Sequence, residues 1–305
     1  MIPHIKGLHH VTAFAGPATT NNAFFTERLG LRRVKVTVNF DNPEIYHLYY
    51  GDRPGTPGTV MTHFPVAGMI QGERGTGEVS KVTFAVPTDA LEAWGDRIGG
   101  GEIVERFGEW QMLFKGPDEE TLALAAIDDP RAPYDALPGE MAIRGFHSVA
   151  LKLADIGATK ELLQAMGFSE TGQEGKTTRM AMDGPAGIID LVHAPDAPEA
   201  VEGAGSVHHI AFATPDDNTQ AKVREAVIDF GLKPTEMKDR DYFHSIYFRE
   251  PGGVLFEVAT MDIGFDADEP LDHLGERLCL PDQHKHLRDK LKTTLEPLPD
   301  VSLDG

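Results

Sequence analysis

The chain has 305 residues, 41% of them hydrophobic, and a formal charge of −20. Its length points to two domains with sizeable cores, and its acidity argues against nucleic acid as a partner, since phosphate contacts need clustered Lys and Arg. No apolar run approaches the roughly 18–20 residues of a membrane span, and the opening residues lack a basic-then-apolar signal pattern. The single cysteine, Cys279, excludes an internal disulfide framework and fits a cytoplasmic setting.

The first element, Gly7 to Phe14, is a short run that is mostly apolar after two histidines, and it reads as a strand. A helix follows over Ala18 to Leu29, stopped by Gly30, and a closing strand runs from Thr59 to Phe64. After a glycine-rich linker over residues 68–77, the pattern restarts with a strand from Glu78, a helix through Leu91 and Trp94, and a strand over Leu122 to Ala125. Residues 128–139 read as a boundary, because Pro and Gly punctuate them. The third unit begins at Gly145 to Leu151, continues with a helix through Leu162, Leu163 and Met166, and ends at Gly187 to Leu191. The fourth begins at Val207 to Ala213. Its helix is capped by Pro215 to Asn218 and stopped by Gly231, and its last strands, Ser245 to Phe248 and Val254 to Val258, are joined by Pro251-Gly252-Gly253. The pattern is β-α-β-β-β, read four times. It divides the chain into a pair of modules over residues 1–128, a second pair over 142–262, and a tail over 263–305. In the tail, Asp282 is expected to cap a helix carrying Leu287, Leu291 and Leu295 at i, i+4 spacing. That helix could cover the barrel mouth, or serve as an ordinary docking or subunit-contact helix.

Four such modules, two per half, resemble the vicinal oxygen chelate superfamily, the glyoxalase-like fold shared by glyoxalase I and extradiol dioxygenases. The resemblance covers about residues 4–262 and implies an α+β protein of two half-open β-barrels with a metal on an inner floor. Such a fold hosts several chemistries, so the site has to decide function. Aligning the four opening strands places His10, Lys81, Ser148 and His209 at one position. His147 falls one residue earlier, in phase with His9 and His208, and by strand alternation faces the other way. Aligning the closing strands sets His63, Leu124, about Asp190, and Glu257 together. If the first and fourth modules share a barrel, His10, His209 and Glu257 converge as the two-histidine, one-carboxylate triad of a non-haem Fe(II) site. If the halves instead pair sequentially, the set is His147, His209 and Glu257; phase argues against it, but a β-bulge could reverse the parity. Glu257 lies between Phe256 and Val258, where an unpaired carboxylate is costly to bury.

A closer resemblance is carried by Leu8-His9-His10-Val11-Thr12, Ile45 to Thr62, Gly145-Phe146-His147-Ser148, Ile188 to Leu191, Val207-His208-His209 and Tyr242 to Tyr247. These motifs agree in order and spacing with the hydroquinone and chlorohydroquinone ring-cleaving dioxygenases, nearly end to end. The resemblance implies Fe(II) on His10, His209 and Glu257, roles at the site for His9, Thr12, His208, Arg240 and Tyr247, and substrate tuning by His244. It implies a small aromatic diol and O₂ as reactants. Tyr247 would stand beside the metal, Arg240 would stabilise developing negative charge, and a neutral His9 or His208 would accept a proton. The expected function is therefore Fe(II)-dependent ring cleavage. A glyoxalase-like isomerase or lyase and a metal-free binder of aromatic toxins are the alternatives, and a homo-oligomer is left open.

Overall fold

In the computed structural model, which describes residues 1–304, the repeat is realised four times. The first module comprises β1 (Leu8–Ala15), α1 (Ala18–Ala23), a π-helical turn (Phe24–Arg28), β2 (Arg32–Val38), β3 (Tyr46–Gly51) and β4 (Val60–Pro65). Gly30, at φ 70°, ends its helical segment where a side chain would be strained. The second holds β5 (Glu78–Val86), α2 (Leu91–Ile98), β6 (Glu102–Arg106), β7 (Glu109–Lys115) and β8 (Thr121–Ala126). The third holds β9 (Gly145–Leu153), α3 (Gly157–Ala165), β10 (Ser169–Glu174), β11 (Thr177–Ala181) and β12 (Ile188–His193). The fourth holds β13 (Val207–Thr214), α4 (Asp217–Asp229), β14 (Lys238–Asp239), β15 (His244–Arg249) and β16 (Leu255–Thr260). Asp216 caps α4 by accepting the Thr219 N–H at 2.8 Å, and the Thr219 hydroxyl sits 3.0 Å from the Asp216 nitrogen, a reciprocal capping box.

The modules assemble crosswise. One eight-stranded sheet runs β14-β15-β16-β13-β1-β4-β3-β2, and the other runs β10-β11-β12-β9-β5-β8-β7-β6. The first module thus shares a sheet with the fourth and the second with the third, so each sheet draws on both halves of the chain. The joining strands are antiparallel, with Val11 opposite Ile210 and Val82 opposite Val149. Each skips one residue in register: His9 and His208 in the first sheet, Ser80 and His147 in the second. These are β-bulges, and a bulge re-aims the side chains on either side of the extra residue.

Parallel pairing fixes the closing strands: Thr12 lies beside Thr62, Thr83 beside Ala123, Ala150 beside Asp190, and Ala211 beside Glu257. The equivalents of Glu257 are therefore Asp190, Ala123 and Thr62. His63 and Leu124 fall one residue out of place, because turn lengths before each closing strand differ and only ladder register resolves the offset.

In the tail, Asp282 does not cap the helix. It opens a 3₁₀ segment (Asp282–Leu287) after Pro281, and α5 spans Arg288–Thr294 with Leu291 and Leu295 buried. The tail instead supplies a cap elsewhere. Glu296 accepts the N–H groups of Ala18 (2.9 Å) and Thr19 (3.1 Å), for which Pro17 offers no side-chain acceptor. Lys35 of β2, fully buried, anchors the tail through Asp268 (2.5 Å) and Glu269 (2.6 Å). A buried ammonium is tolerable only with such partners.

Candidate metal centre

Because β1 and β13 are neighbours, their histidine pairs meet across the sheet. His10 Nε2 lies 3.2 Å from His209 Nε2. Glu257, on β16 beside β13, sets Oε2 2.8 Å from His209 Nε2 and 3.4 Å from His10 Nε2. All three side chains are buried. Ser245 donates to the other oxygen, Oε1. Oε2 has close neighbours but no hydrogen-bond partner among the described residues.

Two imidazole nitrogens and an orphaned carboxylate oxygen pointing at one spot fit a cation better than they fit one another. Ligand atoms held about 2.1 Å from a first-row metal at right angles lie roughly 3 Å apart, close to these separations. Burial would raise the Glu257 pKa, but the facing histidines outweigh it and hold the carboxyl well below its usual range. Burial in turn lowers His209. The donor set is thus an ionised carboxylate and an imidazole kept neutral, the forms that bind metal.

The bulges at His9 and His208 turn consecutive histidines toward each other, which simple alternation forbids. His9 Nδ1 is 2.9 Å from His10 Nδ1, and His208 Nδ1 is 2.7 Å from His209 Nδ1. If Nε2 of each ligand carries its lone pair inward, Nδ1–H must donate to the preceding histidine, whose own proton then sits on Nε2. Burial first, and the neighbouring histidine second, push both His9 and His208 down to about 3, so both are neutral acceptors at neutral pH.

Above the three residues is a cavity of about 330 Å³ walled by Phe14, Phe64, Phe243, Tyr49, Tyr247 and part of the β2–β3 loop. Tyr247 stands opposite Glu257 on the adjoining strand, with its ring edge-on to His209 at 5.9 Å. Arg240 Nε donates to its phenol oxygen at 3.2 Å. Burial raises the Tyr247 pKa, so it is a phenol and not a phenolate near neutral pH. The next residue, Asp241, takes a left-handed backbone conformation at φ 65°.

Thr12 lies behind the cavity wall. Its Oγ1 is 2.7 Å from Thr62 Oγ1; His47 Nε2 lies 2.9 Å from Thr62 Oγ1, and His47 Nδ1 lies 2.8 Å from the Tyr49 hydroxyl. Tyr49 and Thr62 face each other as Tyr247 and Glu257 do. Aligning the closing strands on His63 passes over Thr62 by one residue, and with it the cross-strand neighbours Tyr49 and His47. His63 packs on Phe25 at 4.3 Å, with neither ring nitrogen partnered among the described residues. His244 is not on the cavity wall and bonds Asp217 at 2.6 Å, so it is not placed to tune a substrate there.

His147 belongs to the other sheet, where it contacts Ser148 (3.0 Å) and Glu109 (3.2 Å). Its strand is bulged too, so parity alone does not exclude it; sheet membership does. At the counterpart of Glu257, Asp190 is paired with Arg179 at 2.8 and 3.1 Å, and Arg179 stands where Tyr247 stands in the first sheet. A guanidinium neutralises this second floor. A further acidic group, Asp268, Glu269 and Cys279, surrounds Lys35.

Crosswise pairs of βαβββ modules around a two-histidine, one-carboxylate cluster define a glyoxalase-type fold with a candidate metal centre. The model of the Glyoxalase/Bleomycin resistance protein/Dioxygenase superfamily matches residues 164–258. "Putative ring-cleaving dioxygenase MhqE" of Bacillus subtilis is 40% identical over 303 residues, covering 96% of this chain and 99% of that protein. The chlorohydroquinone/hydroquinone 1,2-dioxygenase of Sphingobium indicum is 34% identical, covering 95% and 96%. A crystal structure of a Bacillus subtilis protein described as a "putative dioxygenase" superposes with a TM-score of 0.94 at 36% identity, covering 98% and 99%. The chain belongs to the ring-cleaving dioxygenases of this superfamily.

Proposed function

We propose that this protein opens hydroquinone-type rings with O₂, using Fe(II) held by His10, His209 and Glu257. The carrying observation is that three buried ligand atoms, all within 4.8 Å of one another, face an aromatic-walled cavity and leave one carboxylate oxygen without a partner. When bound there, Fe(II) supplies a redox centre with positions open to a phenolate and O₂, which Zn²⁺ cannot match.

The chain's own residues do the rest. His9 and His208 accept the Nδ1–H protons of His10 and His209 and fix both rings with Nε2 inward. Phe14, Phe64 and Phe243 line the cavity with apolar surface suited to an aromatic ring and to excluding water. A para-diol is too wide to chelate one ion through both oxygens, so one oxygen lies at the triad and the other points toward the cavity mouth. Tyr247 offers its O–H to charge developing beside the triad, and Arg240, donating to the same phenol, polarises it. Thr12 supports the wall through Thr62. A cytoplasmic setting fits a lone, buried Cys279, and no helix among the described residues is long and apolar enough to cross a membrane.

The test is isotopic. Protein loaded anaerobically with Fe(II) and given hydroquinone and ¹⁸O₂ should consume one O₂ per ring and place both labelled atoms in an acyclic product. The zinc form should fold and stay inactive. An unlabelled product or an equally active zinc form sinks the dioxygenase reading and favours a glyoxalase-like isomerase, whose proton transfer needs only a Lewis acid.

A further inference from the structure

The tail after Glu257 plays no part in the chemistry above, yet its contacts end at the mouth of the same cavity. That mouth is edged by the β2–β3 loop, residues 39–45, including Phe40 and Asp41. Phe40 lies under the Arg240 guanidinium at 5.1 Å, and Asp41 Oδ2 is 3.4 Å from Arg240 Nη2. Within the loop, Asn39 Oδ1 accepts the N–H groups of Asp41 (2.8 Å) and Asn42 (3.0 Å). Those bonds give the loop its shape but do not fix where it sits.

The tail fixes it. Gln283 Nε2 (3.0 Å) and His284 Nε2 (2.9 Å) converge as donors on the Phe40 carbonyl. Lys290 lies 2.5 Å from Glu44, and the Tyr46 hydroxyl donates to the Glu296 carbonyl at 2.9 Å. The tail can bear this because it is anchored itself. Leu291, Leu295 and Leu298 are buried, the Cys279 N–H donates to the Val36 carbonyl at 2.9 Å, and Lys35 clamps Asp268 and Glu269.

We propose that Gln283 and His284 are positioning residues for substrate: they hold Phe40 and Asp41 in place against Arg240 as the edge of the cavity mouth. The triad stands on paired strands and needs no such support. Freeing the loop therefore weakens substrate binding and leaves the metal ligands in place. The turnover readout rests on the dioxygenase reading; the binding readout does not.

The experiment uses the full chain carrying Gln283→Ala and His284→Ala together, loaded with Fe(II). Iron content and melting temperature should match the wild type. KM for hydroquinone, and the Kd of phenol measured anaerobically by calorimetry, should both rise roughly tenfold, since two donors to one carbonyl are lost. The saturated rate should stay within about threefold, because the groups facing the triad are unchanged. Gln283→Ala with His284→Gln returns one donor and should recover much of the affinity. An unchanged Kd for phenol overturns the proposal, as does a rise accompanied by iron loss or a lower melting temperature, or a His284→Gln variant no better than His284→Ala. A wild type that binds phenol but does not turn over hydroquinone refutes the dioxygenase reading alone, and the phenol Kd still decides the role of the tail.

Discussion

Each candidate ligand histidine is oriented by the histidine before it, an arrangement that depends on a bulge at His9 and at His208. Without the bulge, consecutive side chains would point to opposite faces. Tyr247 is the residue whose role is most sharply separable, because Phe preserves its packing against His209 and removes one hydroxyl. Tyr247→Phe should keep its iron and lose about 1 kcal/mol of stability for the bond to Arg240. Its turnover should fall roughly ten- to a hundredfold if the phenol serves charge beside the triad. Steady-state rates at saturating hydroquinone and oxygen check this; an unchanged rate makes Tyr247 an aromatic wall and nothing more.

At the scale of the element, the opening strands and the helix stops at Gly30 and Gly231 were legible, because apolar runs and turn residues are local signals. Ladder register was not. It put Thr62 where His63 was expected, and it put bulges in both pairs of joining strands, so the parity that separated His10 from His147 does not by itself decide between them. What separates them is that β1 joins β13 while β9 joins β5. Asp282 does not cap the tail helix, because Pro281 leads into a 3₁₀ turn instead. The crosswise pairing predicts one metal per chain. His10→Ala should lose tight iron, whereas His147→Ala should retain most of it. In the second sheet, Arg179→Met strips the partner from buried Asp190 and should cost about 3–5 kcal/mol, yet leave iron content at one per chain. Elemental analysis beside urea unfolding reads both, and iron lost from His147→Ala but kept in His10→Ala would reverse the assignment.

Across the whole molecule, a net charge of −20 discloses nothing about where acids are unwelcome, and the seam between the sheets is one such place. Glu120, just before β8, is buried beside Ala13, Met61 and Val207 of the other sheet. Burial pushes its carboxyl up to about 7, Asp118 adds to this, and hydrogen bonds from the backbone N–H groups of Glu120 and Asp118, along with Arg74, oppose it. In the unfolded chain the same group titrates near 4.5. Between those values the unfolded state has released its proton and the folded state has not, so rising pH favours unfolding. The stabilisation is full below about 4.5, declines through the interval, and is gone above about 7. A shift of this size corresponds to about 3 kcal/mol at most. Glu120→Gln removes the titration while keeping the shape and an acceptor for the Asp118 N–H, which donates to Glu120 at 2.9 Å. Comparing variant with wild type cancels the opposite trend from buried histidines such as His63, which gain stability as pH rises. Urea unfolding should therefore find the two proteins alike near pH 4.5 and the variant more stable by up to about 3 kcal/mol at pH 8. Equal stability of the two at pH 8 would mean that water reaches Glu120 and the seam between the sheets is wet.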